Sequence, residues 1–467
     1  MSMRTADYIA KFLAEKGVKH VFTVTGGGAM HLNNAFGKNK DLTCIYFHHE
    51  QACAIAAEGY ARLTGKPVAV CVTSGPGGTN ALTGVLGAYL DSIPVFVVSG
   101  QVKYSTTVKA TGLPLRQFGD QEYPIVKSAK RMTKYAKMIT DAADIKKMMQ
   151  KAWRKMLQGR KGPVWLDVPL NIQGEKIDVD KLVGEEKWPK VYPAQDADID
   201  ALVEKLRTAE RPIILAGTGI RLAGAHAEFL KLVAHLGIPV TTAWNAHDVI
   251  PDTHPLYAGR PGTIGDRAGN FALYKSDLML VLGCRMNIRQ ISYNYEAFAP
   301  NTYKAVVDID ATELKKPSVK IDLPIHADLS SVMDKLLTRE MMPRRDISDW
   351  ISWCQQTRAR YPIPTKAQIE DENGVNVYHF MGTLYDRLPD DANVIASNGS
   401  ACVCGFQAAK IKEKTRLFTN SGCASMGYGL PAAIGAALSA HEGPVICLEG
   451  DGSLQMNIQE LQTVKHY

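Results

Sequence analysis

Short apolar runs rich in β-branched residues recur along the chain, each closed by glycines or polar residues and followed by a stretch with helical spacing. In the N-terminal part such runs fall at 20–24, 43–47, 68–73, 93–99 and 164–168. The first three end in Gly26-Gly27-Gly28, in His48-His49-Glu50 and in Ser74-Gly75-Pro76-Gly77-Gly78. Strands that alternate with helices predict a parallel sheet covered on both faces. Ligands of such sheets sit outside the carboxyl ends of the strands, so these loops are expected to converge on a site. Ahead of the first run, Tyr8, Ile9, Phe12 and Leu13 share one face of an amphipathic helix. That segment has neither the apolar core nor the small-residue cleavage site of a signal peptide.

The pattern then repeats twice. Residues 1–170 form the first domain, and the polar residues 171–195 read as a linker. Runs at 212–216, 238–242, 277–282 and 304–309 predict a second α/β domain over 196–335, with Gly217-Thr218-Gly219 and Gly283-Cys284-Arg285 closing two strands. A charged, Trp-bearing connector covers 336–374. The third domain, 375–467, shows a strand at 394–396, a loop at 397–400 and a Gly/Ala-rich helix over 425–440. After these come a strand at 444–448, a turn at Gly450-Asp451-Gly452-Ser453, and a helix over 457–466 with Leu461 and Val464 on one face. The fold class expected is α/β, three consecutive doubly wound parallel-sheet domains. The last sheet reads as incomplete, so the strand at 444–448 is expected to lack a neighbour.

The 467 residues are 46% hydrophobic and 22% charged, the balance of a soluble globular chain. No apolar run is long enough to span a bilayer. The net charge of +7 is spread out, with a local basic stretch at 127–137. No Lys/Arg block carries interleaved aromatics, which argues against nucleic acid and leaves small anionic ligands as the better match. Nine scattered cysteines, with one close pair at Cys402 and Cys404, fit reduced thiols in a cytoplasmic protein.

Two carboxylates stand out. Glu50 lies where a strand meets a helix, a place that also suits a residue serving only the helix dipole. Asp451 lies between two glycines at a strand end, where a metal can approach without meeting a Cβ. Mg²⁺ takes such oxygen ligands and shares them with phosphates, although a GDG triplet alone also serves as an ordinary turn.

The strings around them decide between these readings. HHEQACAIAAEGYARLTGKP, VTSGPGGTNALTG, DSIPVFVVSGQ, GRKGPVWLDVP, SMGYGLPAAIGA and EGDGSLQMNIQELQT resemble, in order and over essentially the whole chain, the acetolactate synthase family of thiamine-diphosphate (ThDP) enzymes. The resemblance implies that Glu50 hydrogen-bonds N1′ of the aminopyrimidine and favours the imino tautomer whose nitrogen deprotonates thiazolium C2. Met426 would force the two rings into a V, a proximity effect. Gly26, Gly27 and Asn80 would contact the cofactor from the first domain, and Asn398, Gly399, Ser400 and Ala401 would grip the diphosphate. Asp451 would bind Mg²⁺ beside Gly452 and Ser453. The family's closing Asn ligand falls beyond Tyr467, so the chain reads as C-terminally truncated. Gln121 matches a catalytic glutamine. Thr25 replaces the family's Pro before Gly26-Gly27, and Asp120 replaces its Phe before Gln121.

In the central domain GRPGTIGDRAGN, with Gly259 and Gly262, resembles the family's FAD loop, with Arg260-Pro261 in place of Met-His. Arg285 and Arg289 keep an Arg pair suited to a flavin diphosphate. Asp308, Asp328 and, from the first domain, Arg160 complete the expected FAD contacts. The activity implied is decarboxylation of a 2-keto acid, pyruvate foremost, with ligation of the two-carbon unit to a second carbonyl. A carboligase acting on a keto-sugar nucleotide, a simple decarboxylase, and an inactive cofactor-binding relative stay open. Family members are homodimers or homotetramers with sites between subunits. The presence of Glu50 argues against glyoxylate carboligase, which lacks it.

Overall fold

The computed structural model describes residues 2–467 except 186, 188, 189, 342 and 343, so Glu186 and Pro189 of the expected linker lie outside the described residues. The chain divides into two compact units: residues 1–190, 420–441 and 449–467 form the first, and 191–419 with 442–448 the second.

The first unit is built on six parallel strands: β1 (His20–Thr23), β2 (Thr43–Tyr46), β3 (Val68–Val72), β4 (Val95–Gln101), β5 (Tyr135–Met138) and β6 (Val164–Pro169), ordered β2-β1-β3-β4-β6-β5. β3, β4 and β6 are buried throughout, the reason their sequences are nearly unbroken apolar runs. β5 went unanticipated because it is a half-exposed edge strand inside the basic stretch. Part of the expected linker is also ordered, as helix Leu170–Gly174 and strand Lys176–Asp178, which pairs antiparallel with Ser2–Arg4.

Helix α1 (Glu50–Thr64) packs between α2 (Pro76–Leu90) and, of the later helices, Gly429–Ala437. Small residues set the spacing. A Cβ on Gly59 would lie 2.6 Å from Ala432 O, one on Gly84 2.6 Å from Ala54 Cβ, and one on Gly435 1.9 Å from Ala56 O. A buried charge network crosses the same seam. Arg62 Nε donates to Glu58 at 2.9 Å and Arg62 also pairs with Asp91 at 2.8 Å. Tyr428 OH donates to Glu58 at 2.8 Å, and Gly422 N to Asp91 at 3.0 Å.

The second unit holds two sheets. The larger comprises β7 (Pro212–Ala216), β8 (Val240–Thr242), β9 (Tyr257–Gly259), β10 (Leu278–Leu282), β11 (Tyr303–Asp308) and β12 (Leu323–His326), ordered β9-β8-β7-β10-β11-β12. Chain order reverses between β7 and β10, which opens a crevice at their carboxyl ends. The smaller comprises β13 (Asn393–Ala396), β14 (Arg416–Phe418) and β15 (Val445–Leu448), ordered β14-β13-β15. Asp248, buried, joins them: it accepts from Arg416 Nε at 2.7 Å and from Arg221 Nε at 3.2 Å.

Two expectations need correction. β15 does not lack a neighbour: it pairs in parallel with β13 along its length, from Asn393↔Val445 to Ala396↔Leu448, and only its other edge is open. The helix expected at 457–466 is broken into a 3₁₀ turn, Ile458–Glu460, and helix Leu461–His466, and its apolar face points outward. Leu461 is 48% and Val464 53% exposed, whereas Glu460 is fully buried. Polar satisfaction explains the inversion: Glu460 accepts the His48 N–H at 3.1 Å and the Thr463 hydroxyl at 2.5 Å.

Candidate active site

In the first unit the carboxyl ends of β1, β2, β3 and β4 supply the expected loops. His49 caps α1 through its ring nitrogen, which accepts from Gln51 N at 3.1 Å, and so fixes Glu50 as the first helical residue. Glu50 is half-buried, and one of its oxygens accepts from Asn80 Nδ2, on α2, at 2.9 Å. The amide orients the carboxylate while the helix dipole favours its charge. Gly26 is required by packing, since a Cβ there would sit 2.5 Å from Thr73, whereas Gly27 faces open space.

Gln121 is exposed and takes a left-handed conformation, φ +59°. Its neighbour Glu122 is buried and accepts three backbone N–H groups, from Val108 at 2.6 Å and from Phe118 and Gly119 at 3.1 Å. Glu122 therefore shapes the loop that presents Gln121, a role not legible from the motif alone. Behind the loop, Asp167 on β6 accepts Ser99 Oγ at 2.6 Å and Gln101 Nε2 at 3.2 Å, and Gln101 also donates to Tyr123 O at 2.9 Å.

Burial pushes the Asp167 carboxyl up to about 7, against the lowering effect of its Ser99 and Gln101 hydrogen bonds. With the folded value raised above the ordinary 3.8, the protonated acid contributes stability that is complete below that value and is lost as pH rises through about 7. Asp167→Asn is therefore expected to flatten this loss. Melting temperatures taken at about pH 5 and about pH 8 should fall less between the two in the variant than in the parent. An equal fall in both would show that Asp167 is not the group responsible.

The segment 449–457 lies in the same unit as Glu50. Asp451 is exposed, its Oδ1 accepting the adjacent Gly452 N at 2.7 Å, and a Cβ on Gly450 would meet nothing within 4 Å among the described residues. This hard, accessible oxygen donor beside an open glycine fits a Mg²⁺-diphosphate cradle. Ser453 is buried, with Oγ accepting Gly427 N at 2.8 Å. Met426 precedes that glycine and is 44% exposed, its methyl 3.5 Å from the Cβ position of Gly452.

The remaining expected residues belong to the second unit, apart from Arg160. There Asn398, Gly399, Ser400 and Ala401 follow β13. Gly399 has φ +61° with open space where a Cβ would be, and Asn398 Nδ2 is buried with no hydrogen-bond partner among the described residues. An orphaned donor beside an open glycine turn fits an anionic group. At the reversal point of the larger sheet a Cβ on Gly217 would lie 2.2 Å from Gly283 O, so the two strand-closing turns nearly touch. Arg285 is half-buried and Arg289 exposed, neither with a carboxylate partner among the described residues. Gly259 and Gly262 have φ +114° and +140°. Among the described residues Thr242 Oγ1 is buried without a hydrogen-bond partner. Two arginines, Arg289 lying 5.8 Å from the centre of the Trp244 ring, and an orphaned hydroxyl at such a crevice fit a dinucleotide. Asp308 accepts the Asp310 N–H at 2.8 Å and Asp328 caps a helix through Ser330 N at 2.9 Å. Arg260 is buried in a bidentate pair with Asp252 at 2.7 and 2.8 Å. Arg160, in the first unit, is held by Ser92 Oγ at 2.8 Å and Leu90 O at 3.3 Å.

Three family descriptions match the chain: the thiamine pyrophosphate enzyme N-terminal TPP binding domain over residues 3–122, the central domain over 199–336 and the C-terminal TPP binding domain over 397–467. Together with the site, they define a ThDP-dependent enzyme that decarboxylates a 2-keto acid and ligates the fragment to a second carbonyl. At 33% identity over 464 residues, 99% of this chain and 78% of the relative, the chain is similar to the acetolactate synthase large subunit of Lactococcus lactis. It is 31% identical over 480 residues to the acetolactate synthase isozyme 3 large subunit of Escherichia coli, covering 99% of this chain and 80% of the relative. It is also 31% identical over 476 residues to acetolactate synthase 2, chloroplastic, of Nicotiana tabacum, covering 98% and 68%. The chain belongs to the acetolactate synthase large-subunit family. Among its described residues no helix is long and apolar enough to cross a membrane.

Proposed function

We propose that this enzyme takes pyruvate as its donor and joins the two-carbon unit to a second keto acid, and that Glu50 is its central catalytic group. The observation that carries the reading is Glu50 itself: a carboxylate at the first turn of α1, oriented by Asn80. Bound here, ThDP supplies a carbon nucleophile and an electron sink for decarboxylation. Glu50 would hold a proton at the pyrimidine ring and Met426 would support the rings. Gly26, Gly27 and Asn80 would line the pyrimidine side. In the first unit Gly452 and Ser453 would contact the diphosphate and Asp451 the Mg²⁺; in the second unit Asn398 to Ala401 form a turn suited to phosphate. Gln121, presented by the loop that Glu122 shapes, would orient the donor or acceptor.

This reading keeps the domains at 1–170, 196–335 and 375–467, joined by 171–195 and 336–374, in a cytoplasmic homodimer or homotetramer. The outward apolar row of Leu461, Val464 and Tyr467 supports assembly. Measurement of CO₂ release from pyruvate with and without added 2-keto acids, with the products identified, tests it. No release under any condition would remove it. A second reading, a larger anionic acceptor such as a keto-sugar nucleotide, is favoured by Lys103, Lys109 and Arg116, which are exposed on the loop leading to Gln121.

The central crevice is proposed to hold FAD in a structural role, with Arg285 and Arg289 on the diphosphate, Gly259 and Gly262 in the covering loop, and Asp308 and Asp328 at its ends. Purified enzyme is expected to be yellow, and Arg285→Ala to lose most of the bound flavin. A colourless enzyme that gains no flavin absorbance when FAD is added would leave the crevice without this ligand.

A further inference from the structure

Gln101 closes β4 and is fully buried, with both polar atoms of its amide engaged. Nε2 donates to Tyr123 O at 2.9 Å and to Asp167 Oδ2 at 3.2 Å, while Oε1 accepts Val102 N at 3.1 Å. The amide therefore has one orientation, since reversing it would turn an oxygen toward two oxygens. Its anchor is built into the sheet. Ser99 and Asp167 are register partners across β4 and β6, and Ser99 Oγ donates to Asp167 Oδ1 at 2.6 Å. Trp165 Nε1 in turn donates to Ser99 Oγ at 2.8 Å.

The far end of this chain of hydrogen bonds is the loop that carries Gln121. Tyr123 O, two residues beyond it, accepts both Gln101 Nε2 and Ile125 N, the latter at 2.8 Å. Gln121 needs the hold, because its φ of +59° is one that a glutamine keeps only where its surroundings fix it. They do so from three sides. Glu122 gathers three backbone N–H groups of its own loop. Gly75, at φ +59°, lets the Gln121 carbonyl come close, for a Cβ there would lie 2.6 Å from Gln121 O. Gln101 holds Tyr123 O, and of the three it is the one that lies on a strand. Gln121 and Glu50 both stand on loops at the carboxyl ends of this one sheet, so the hold works within one chain, whatever a partner subunit adds to the site.

We propose that Gln101 is a positioning residue for the known reaction: anchored on Asp167, it fixes the Tyr123 carbonyl and so keeps Gln121 in the left-handed conformation that aims its side chain at the keto acid. The proposal rests on the role given above to Gln121. Released at Tyr123, the loop would let Gln121 relax toward an ordinary backbone conformation and swing its amide away. Misplacement of an orienting group is costly for a step that depends on alignment. The loss should fall on the reaction with keto acid and spare the activation of the cofactor, which needs none.

Gln101→Met keeps the bulk of the side chain and removes both donors. Gln101→Asn keeps the amide but is one methylene shorter and cannot keep both bonds. Each is expected to lower kcat/KM for pyruvate, read from CO₂ release by the ThDP-loaded enzyme, by about tenfold or more. Hydrogen–deuterium exchange at C2 of the bound cofactor, measured without keto acid, should stay within about twofold of the parent. Combined with Gln121→Ala, either should add little to the loss that Gln121→Ala causes alone, because holding a loop that no longer carries the glutamine gains nothing. The asparagine variant serves should the methionine variant fail to fold. A parental kcat/KM in either folded variant overturns the proposal. So does exchange that falls in step with kcat/KM, which marks general damage, and so does a double variant whose losses multiply in full. Gln121→Ala by itself separates the two failures. If it lowers kcat/KM while the Gln101 variants do not, the positioning role falls alone. If it leaves kcat/KM unchanged, the underlying reading of Gln121 falls.

Discussion

Glu50→Gln is expected to slow proton exchange at C2 of the bound cofactor by at least about 10²-fold, the scale of a positioned acid–base group. The substitution preserves nearly every other feature of the site. Glutamine fits the first turn of α1, and its carbonyl can still accept the Asn80 amide that now meets Glu50 at 2.9 Å. What disappears is the carboxyl proton and the charge that answers it, together with the favourable interaction between a carboxylate and a helix N-terminus. The variant should fold, bind ThDP–Mg²⁺ and yet fail to turn over. Exchange measured on the loaded enzyme isolates this step from donor binding and product release. A rate equal to that of the parent would assign the proton to another group.

The largest expected effect on stability lies elsewhere, at Asp248. Its carboxylate is buried between Arg221 and Arg416 and also receives the Leu417 N–H at 3.4 Å. Removing one partner from a buried ionic cluster leaves the others charged and unsolvated, typically a loss of about 3–5 kcal/mol. Asp248→Ala does this to two arginines at once and also cuts the link between the two sheets of the second unit. A clear drop in the melting temperature near neutral pH is expected. Although desolvation alone would raise it, Arg221 and Arg416 hold the Asp248 carboxylate down at about 2. With the folded value depressed below the ordinary 3.8, the stabilisation is present above that value and is lost only as pH falls through about 2. The difference between parent and variant should persist at about pH 5 and shrink only in strong acid. A variant as stable as the parent near neutrality would mean that water solvates the two guanidiniums once the carboxylate is gone.

The central strands were readable because burial on both faces imposes unbroken apolar runs such as VAVCV at β3 and LMLVL at β10. Among the strands missed, YAKM at β5, YAG at β9, LPIH at β12 and RLF at β14 are short and lie at sheet edges. The helix expected at 457–466 holds only over 461–466, and its pattern of leucine and valine cannot reveal that Glu460 finds two donors inside. The site divides in the same manner. Glu50, Met426 and Asp451 were legible from motif strings. Glu122 and Gln101 act on backbone N–H and C=O groups, and no side-chain motif records where a distant peptide group will lie.

The seam between α1 and its partner helices has a consequence for descent. Every single-nucleotide change that alters the meaning of a glycine codon either stops translation or adds a Cβ. At position 435 that carbon would fall 1.9 Å from a main-chain oxygen, and at position 59 it would fall 2.6 Å from another. No flexible side chain can yield there, so a lineage has no neutral first step away from either glycine. Both sites should stay frozen while the surfaces around the loops drift, including the exposed cationic loop that carries Lys103, Lys109 and Arg116. New acceptor preferences can thus arise at the rim without ever passing through the joint that sets the reacting groups in place.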